Sequence, residues 1–114
     1  MGRVLICEPD AEVRELLRLV VARLGHEPVF EPNGFRDLSA VVLEPVDVVS
    51  VEVTQAARAS DPRLPVICAS IEPPTSGSRR LAPVAHLLKP FSLPELEQAL
   101  EEAFASRGHP KTPR

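Results

Sequence analysis

Four polar residues stand at the carboxyl ends of predicted strands, where together they could form a functional site. They are Glu8, Glu52, Ser70 and Lys89, at the ends of the apolar runs 3–7, 46–53, 64–70 and 84–88. The run that has Glu52 near its end, VDVVSVEV, is typical of a strand buried on both faces. In open α/β sheets, ligands bind outside the carboxyl ends of the strands. The sequence therefore predicts one pocket with two carboxylates, a hydroxyl group and an ammonium group.

Two helices that flank this set are clearly marked in the sequence. Apolar residues recur at helical spacing over 13–24, after the predicted N-cap Asp10. The last helix begins at a capping box formed by Ser92 and Glu95 and ends at Gly108. We expect both helices to pack an apolar face on the predicted sheet.

The middle of the chain is predicted from weaker patterns. A brief strand is expected over 26–31 and a helix over 35–44. Only the eleven residues 53–63 lie between the third and fourth predicted strands, so the third helix is expected to be a stub at 55–60. Three prolines within 72–83 disfavour a long fourth helix. Five strands alternating with helices predict an α/β fold, a parallel sheet in a three-layer sandwich.

Composition narrows the classes of function. The 114 residues suffice for one domain, and 44% hydrophobic with 25% charged residues is ordinary for a soluble globular protein. A net charge of -3 gives no basic field for nucleic acid or an anionic membrane. No secretory leader or bilayer-spanning run is visible, and Cys7 and Cys68 lie within apolar runs as expected of free thiols. We expect a cytoplasmic protein.

Four stretches of the sequence resemble the receiver domain of bacterial two-component response regulators. They are VLICEPDAEVRELL, PVDVVSVE, LPVICAS and, most specifically, HLLKPFSLPELEQAL. The resemblance covers residues 3–107 and implies a flavodoxin-like sheet of order 2-1-3-4-5. We expect a receiver-like domain over 1–107, with its third and fourth helices shortened, and a polar C-terminal tail over 108–114.

The resemblance also implies roles for the four strand-end residues. In a receiver, an aspartate at the end of strand three accepts a phosphoryl group from a histidine kinase and, with an acidic pair after strand one, binds Mg²⁺. A hydroxyl group and a lysine contact the phosphoryl oxygens. By this resemblance Glu52 takes the acceptor position, Glu8 and Pro9 the acidic pair, Ser70 the hydroxyl position and Lys89 that of the lysine.

Two of these positions depart from the receiver pattern. Glu52 has one methylene more than aspartate, and phosphoryl transfer depends on positioning. Pro9 removes a carboxylate from a site that must give Mg²⁺ near-octahedral oxygen coordination, and Asp10 is already the predicted helix cap. We therefore expect no cofactor, or at most weak Mg²⁺ binding by Glu8 and Glu52, and an ion pair between Lys89 and Glu52.

Three further residues fall where receivers change conformation or meet partners. His86 takes the place of a mobile aromatic residue, although a histidine without a role on an exposed edge strand is the simpler interpretation. Arg79 and Arg80 fall where the fourth helix of receivers contacts partners, although such pairs are often merely solvated. The resemblance also implies a cis peptide bond between Lys89 and Pro90.

The leading hypothesis is a degenerate receiver, or pseudo-receiver, that is not an enzyme. It would act by binding a protein partner, or a second copy in a homodimer, through the fourth helix, fifth strand and fifth helix. The alternative is a functional receiver that is phosphorylated in the presence of Mg²⁺ on Glu52 or a neighbour such as Asp47. A third possibility, a small ligand-binding flavodoxin-like domain, lacks the glycine-rich loop that would cradle a phosphate.

Overall fold

A computed structural model describes residues 2–30, 38–45 and 47–108 of the chain. Its elements follow in the order β1 (Arg3–Cys7), α1 (Ala11–Arg23), β2 (Glu27–Val29), β3 (Leu38–Leu43), α2 (Val48–Ser60), β4 (Val66–Ser70), α3 (Ser76–Arg79), β5 (Ala85–Leu88) and α4 (Leu93–Gly108). None of the helices in these ranges is long and apolar enough to cross a lipid bilayer.

The five strands form one parallel sheet in the order β2-β1-β3-β4-β5. This confirms the predicted α/β class and the strand order 2-1-3-4-5. Because the order reverses between β1 and β3, the crevice at their carboxyl ends is the place where this fold binds ligands. In the register of these two strands, Cys7 is paired with Leu43.

Two apolar clusters, one on each face of the sheet, hold the layers together. Val4 and Ile6 of β1 belong to a cluster with α1 and α4. Leu5, between them, belongs to the other cluster, which contains Ala57 of α2 and Leu81. Successive side chains of a strand point to opposite faces, so a strand covered on both sides is apolar throughout. The predicted three-layer sandwich is thus observed.

The ends of the two long helices on the first face follow the sequence signals. Asp10 caps α1, accepting hydrogen bonds at 2.9 and 3.1 Å from the N–H groups two and three residues later. Gly25, at φ +89°, lies just beyond this helix in the left-handed region that glycine adopts without strain. Ser92 and Glu95 make the reciprocal hydrogen bonds of a capping box, at 2.8 and 3.2 Å.

The predictions for the middle of the chain were wrong in two places. Residues 38–43, assigned to a helix, form the central strand β3, and residues 48–53, assigned to a strand, form the first turns of α2. Residues 35–37 and residue 46, which belonged to the same predictions, lie outside the described residues. The helix after β3 has 13 residues, so the expected shortening of the third helix is also wrong.

The physical reason lies in how the two valine-rich runs are buried. Every residue of β3 is buried or half-buried between β1 and β4. In α2, by contrast, Val48 and Val49 are 68% and 64% exposed, and the buried positions are taken by smaller residues at helical spacing. Tertiary burial therefore overrides the β-propensity of valine.

The remaining boundaries agree more closely with the sequence. The brief strand predicted over 26–31 is the three-residue edge strand β2, Glu27–Val29. The helix between β4 and β5 has four residues, as the prolines of this segment indicated. The last helix reaches Gly108, and the rest of the predicted polar tail lies outside the described residues.

Candidate functional site

Lys89, the residue after β5, places its ammonium group between two glutamates at the carboxyl edge of the sheet. Its Nζ lies 2.8 Å from Oε2 of Glu44, and 2.9 and 3.0 Å from Oε1 and Oε2 of Glu8. The Lys89 side chain is only 14% exposed. The backbone N–H of Lys89 donates to the carbonyl of Ser70 at 2.8 Å, which fixes the start of the side chain at the end of β4. We call this group of Glu8, Glu44 and Lys89 the lysine pocket.

The strands bring the two glutamates together. Glu8 follows β1 and Glu44 follows β3, and these strands are paired in register up to Cys7 and Leu43. The backbone N–H of Glu44 donates to the carbonyl of Cys7 at 3.1 Å, which extends the ladder by one residue. Both glutamates are buried, at 5% and 7% exposure. Two carboxylates in such a position need a cation, because buried charge is unfavourable unless it is paired.

The electrostatics of the lysine pocket favour the charged form of Lys89. Burial by itself lowers the pKa of the lysine. The hydrogen bonds and charges of Glu44 and Glu8 act in the opposite direction and prevail, so the pKa of Lys89 is raised above its ordinary value. The ammonium group is therefore retained throughout the neutral range. Two carboxylates and one ammonium leave the pocket with a formal charge of -1.

Three other residues of the predicted site lie near the pocket but have different roles. Pro9 is exposed and Asp10 uses its carboxylate as the cap of α1. The backbone N–H of Asp10 donates to Oε2 of Glu8 at 3.1 Å, so the loop after β1 holds the buried glutamate in place. Ser70 is buried, and its hydroxyl oxygen accepts the N–H of Glu72 at 3.1 Å. This hydroxyl group shapes the loop after β4.

Glu52 does not belong to the pocket, which corrects the central assignment made from sequence. It is exposed on α2, and among the described residues it forms no hydrogen bond or ion pair. The expected pair between Lys89 and Glu52 is therefore wrong, because Lys89 binds Glu8 and Glu44 instead. Glu44 now occupies the position at the end of strand three that sequence reasoning gave to Glu52.

Asp47, the alternative acceptor, is also committed elsewhere. It is the N-cap of α2 and accepts hydrogen bonds from the backbone N–H of Ser50 at 3.0 Å and from its hydroxyl group at 2.5 Å. A capping aspartate of this kind directs its carboxylate at the helix N–H groups. Asp47 is thus explained by the start of α2.

The residues at this edge do not fit a Mg²⁺ site. The ion requires near-octahedral oxygen coordination at about 2.0 to 2.1 Å and usually binds through one or two carboxylates with several waters. Here the two available carboxylates both contact the Lys89 ammonium group, and Asp10 caps a helix. Within the described ranges, no three acidic, histidine or cysteine side chains come together as a potential metal-binding group.

The residues predicted to change conformation or meet partners lie along the β5 edge. The Nε2–H group of His86 donates to the carbonyl of Glu72 at 2.9 Å, and its Nδ1 is buried without a partner among the described residues. Arg79 and Arg80, at the end of α3, are exposed. The peptide bond between Lys89 and Pro90 is cis, as expected.

Response regulator receiver domains are among the solved structures that superpose on this chain. A response regulator from Thermotoga maritima superposes with a TM-score of 0.75 at 16% identity, covering 93% of this chain and 99% of that one. A CheY-like receiver domain protein from Methanospirillum hungatei gives a TM-score of 0.77 at 14% identity, covering 97% and 99%.

A third receiver structure contains a bound ligand. The response regulator TrrA from Thermotoga maritima, in complex with Mg(2+)-BeF, has a TM-score of 0.67 at 20% identity, and the match covers 90% of this chain and 99% of that one. No protein-family model matches the sequence, and no curated protein sequence matches it significantly. The chain therefore has the receiver fold, as its resemblance implied.

Proposed function

We propose that this chain is a receiver domain of two-component signal transduction that has become a pseudo-receiver, signalling by protein binding and not by accepting a phosphoryl group. The observation that carries the proposal is the position of the Lys89 ammonium group, within 3.0 Å of three carboxylate oxygens of Glu8 and Glu44. The pocket has its own cation, fixed by a covalent side chain. Its ammonium group offsets one of the two carboxylate charges without a metal ion.

The acceptor position supports the same conclusion. Glu44 has one methylene more than an aspartate and is 7% exposed, with Oε2 bonded to Lys89. A carboxylate that attacks phosphorus must approach it in line, and a displacement of about 1 Å can reduce such a rate roughly a hundredfold. Pro9 also removes the second acidic group after β1. We therefore expect no catalytic activity and place the signal in a binding surface.

The surface formed by α3, β5 and the start of α4, which we call the β5 surface, is the proposed binding site. Arg79 and Arg80 are exposed beside it, and Val84, Leu88 and Leu93 are 38 to 50% exposed. Large apolar side chains beside arginines are typical of protein interfaces. The partner we expect is another cytoplasmic protein or a second copy of the chain, with no role for nucleic acid or a membrane.

The second candidate is a functional receiver in which Glu44 accepts the phosphoryl group. It is favoured by one observation, the retention of an acidic residue after β3, a hydroxyl group at the end of β4 and a lysine after β5. With acetyl phosphate as donor, a carboxylate oxygen of Glu44 would bind the phosphorus and acetate would leave. The poor fit of the pocket to Mg²⁺ argues against this candidate.

The experiment that separates the two is incubation with acetyl phosphate and Mg²⁺ followed by intact mass measurement. The wild-type chain should remain unmodified, and a hydroxylamine-labile phosphoryl adduct on it would overturn the proposal. The double variant Pro9→Asp, Glu44→Asp restores both missing features and is the test for gained phosphorylation. The matched control, Pro9→Asp with Glu52→Asp, alters an exposed residue of α2 and should remain unmodified.

A further inference from the structure

His26 joins three segments of the chain at the amino edge of the sheet, the edge opposite the lysine pocket. Its Nδ1 accepts a hydrogen bond of 2.9 Å from the backbone N–H of Gly2, at the start of β1. Its ring stacks on that of Phe104 in α4, with the ring centroids 3.9 Å apart and the planes at 19°. The backbone N–H of His26 donates to the carbonyl of Val21 in α1 at 3.1 Å.

The packing at this edge leaves little room for adjustment. A Cβ atom on Gly2 would collide with Oγ of Ser39 and lie 2.9 Å from Cε1 of Phe104, so the backbone at Gly2 runs directly against both side chains. Phe104 in turn packs against the apolar cluster between α1, α4 and the sheet. The His26 ring and the backbone of Gly2 are thus both in contact with Phe104, where α4 meets the start of the sheet.

The hydrogen bond from Gly2 fixes the protonation state of the ring. A ring nitrogen that accepts a hydrogen bond carries no proton, and both nitrogens of an imidazolium ion are donors. Protonation of His26 would therefore turn Nδ1–H towards the N–H of Gly2 and break the bond. A cation above the Phe104 ring would gain some attraction, but this does not restore an acceptor for either N–H group.

The charged groups around the ring do not stabilise an imidazolium ion. The elements around the ring carry several charged residues, among them Arg3 of β1, Arg23 of α1, Glu27 of β2 and the pair Glu101 and Glu102 of α4, and β3 contributes the uncharged Ser39. Glu27 is paired with Arg3 at 3.5 Å, and in the described part of the chain no carboxylate forms an ion pair with His26. Burial and the positive amino terminus lower the pKa of His26.

We propose that His26 is an acid-sensitive clamp: its neutral imidazole holds Phe104, and with it the last turns of α4, against the amino edge of the sheet, and protonation loosens this contact. The clamp acts on the helix whose start borders the β5 surface. It depends only on the contacts of His26 and stands whether or not the lysine pocket accepts a phosphoryl group.

The test is an NMR titration of the whole chain from neutral pH to pH about 4.5, below the ordinary pKa of histidine. We expect the His26 ring to titrate with a midpoint below that of an unperturbed histidine. The Phe104 ring and the backbone amides of the last turns of α4 should shift with the same midpoint. Amide protection there, corrected for the intrinsic exchange rate, should fall roughly three- to tenfold, the equivalent of one lost hydrogen bond.

Two variants control for a purely structural effect. His26→Phe keeps a ring to stack on Phe104, and His26→Gln keeps a side-chain acceptor, and neither can titrate. In both, the amides of α4 should be insensitive to pH over this range. The proposal is overturned if the variants loosen like the wild type, or if the wild-type His26 titrates while Phe104 and α4 do not respond. If neither variant folds, the wild-type protein alone still tests the proposal, because His26, Phe104 and the amides of α4 must then titrate with one midpoint.

Discussion

The end of β3 and the first turns of α2 each carry a glutamate after a valine-rich run, yet the two residues lie in opposite environments. Glu44 is 7% exposed and 2.8 Å from the ammonium group of Lys89. Glu52, eight positions later in the sequence, is exposed on the surface of a helix. The difference shows that a glutamate reaches the pocket of this fold only if it directly follows a strand of the sheet.

The same comparison separates stabilising charges from solvated ones. Removal of one partner from a buried charge pair leaves the other charge uncompensated, whereas an exposed charge is already solvated. Substitutions in the lysine pocket and on α2 should therefore differ in their effect on the free energy of unfolding, and the predictions below rank these differences.

The largest effect is expected for Lys89→Met, which leaves Glu8 and Glu44 buried together without a cation. Loss of one partner from a buried pair costs about 3 to 5 kcal/mol of folding free energy. Urea unfolding of the variant and the wild type at pH 7 measures this loss of folding free energy. The matched control is the charge-free variant Glu8→Gln, Glu44→Gln, Lys89→Met, which should recover most of the loss because no buried charge remains. A loss below about 1 kcal/mol in the single variant would mean that the pocket is solvated.

The stability that the lysine pocket contributes should be lost at high pH, because the pKa of Lys89 is raised in the folded state. A group whose pKa is higher in the folded state contributes its full stability below its unfolded pKa, about 10.4 for lysine. The contribution disappears as the pH rises through the higher folded pKa. The wild type should therefore lose stability above pH about 10.4 relative to the charge-free variant. Parallel curves for the two proteins in thermal unfolding up to pH about 11.5 would contradict it.

A smaller effect is expected for Asp10→Ala, which tests whether this residue is a helix cap or a metal ligand. Loss of an N-cap costs about 1 kcal/mol, within a range of roughly 0.5 to 2. Because its carboxylate is bonded to α1, the loss should be the same with and without Mg²⁺. Ser92→Ala, at the start of α4, is a second cap for comparison. A Mg²⁺-dependent difference for Asp10→Ala alone would assign the residue to a metal site.

The smallest effect is expected for Glu52→Gln. An exposed residue away from caps and buried contacts typically changes stability by less than about 0.5 kcal/mol. Chemical denaturation should therefore give nearly equal values for this variant and the wild type. A loss of folding free energy as large as that of Lys89→Met would mean that Glu52 belongs to the lysine pocket, which would contradict the assignment of residues 38–43 to β3.

Much of the fold could be predicted because its signals are local. The cap at Asp10 and the capping box at Ser92 are set by hydrogen bonds within three residues, and both are observed. The strands β1 and β4 are short apolar runs in sequence and in structure. Two of the three residues of the lysine pocket could be predicted, because Glu8 and Lys89 follow such strands.

The third residue, Glu44, could not be predicted, because the assignment of the strand before it depends on tertiary burial. Residues 38–43 and 46–53 are both rich in β-branched residues, and only packing between β1 and β4 selects the first as the strand. Two local signals pointed the right way. Asp47 with Ser50 three residues later is typical of a helix start, and a strand that ends at Leu43 leaves room for a full helix before β4.

The central claim is that the ammonium group of Lys89 takes the place of a metal ion in this pocket. Titration calorimetry of the chain with Mg²⁺ tests it most directly, with Glu44→Gln and Glu52→Gln measured in parallel. The account predicts no saturable binding by the wild type up to millimolar concentrations. Millimolar or tighter binding that is lost in Glu44→Gln and kept in Glu52→Gln would contradict it.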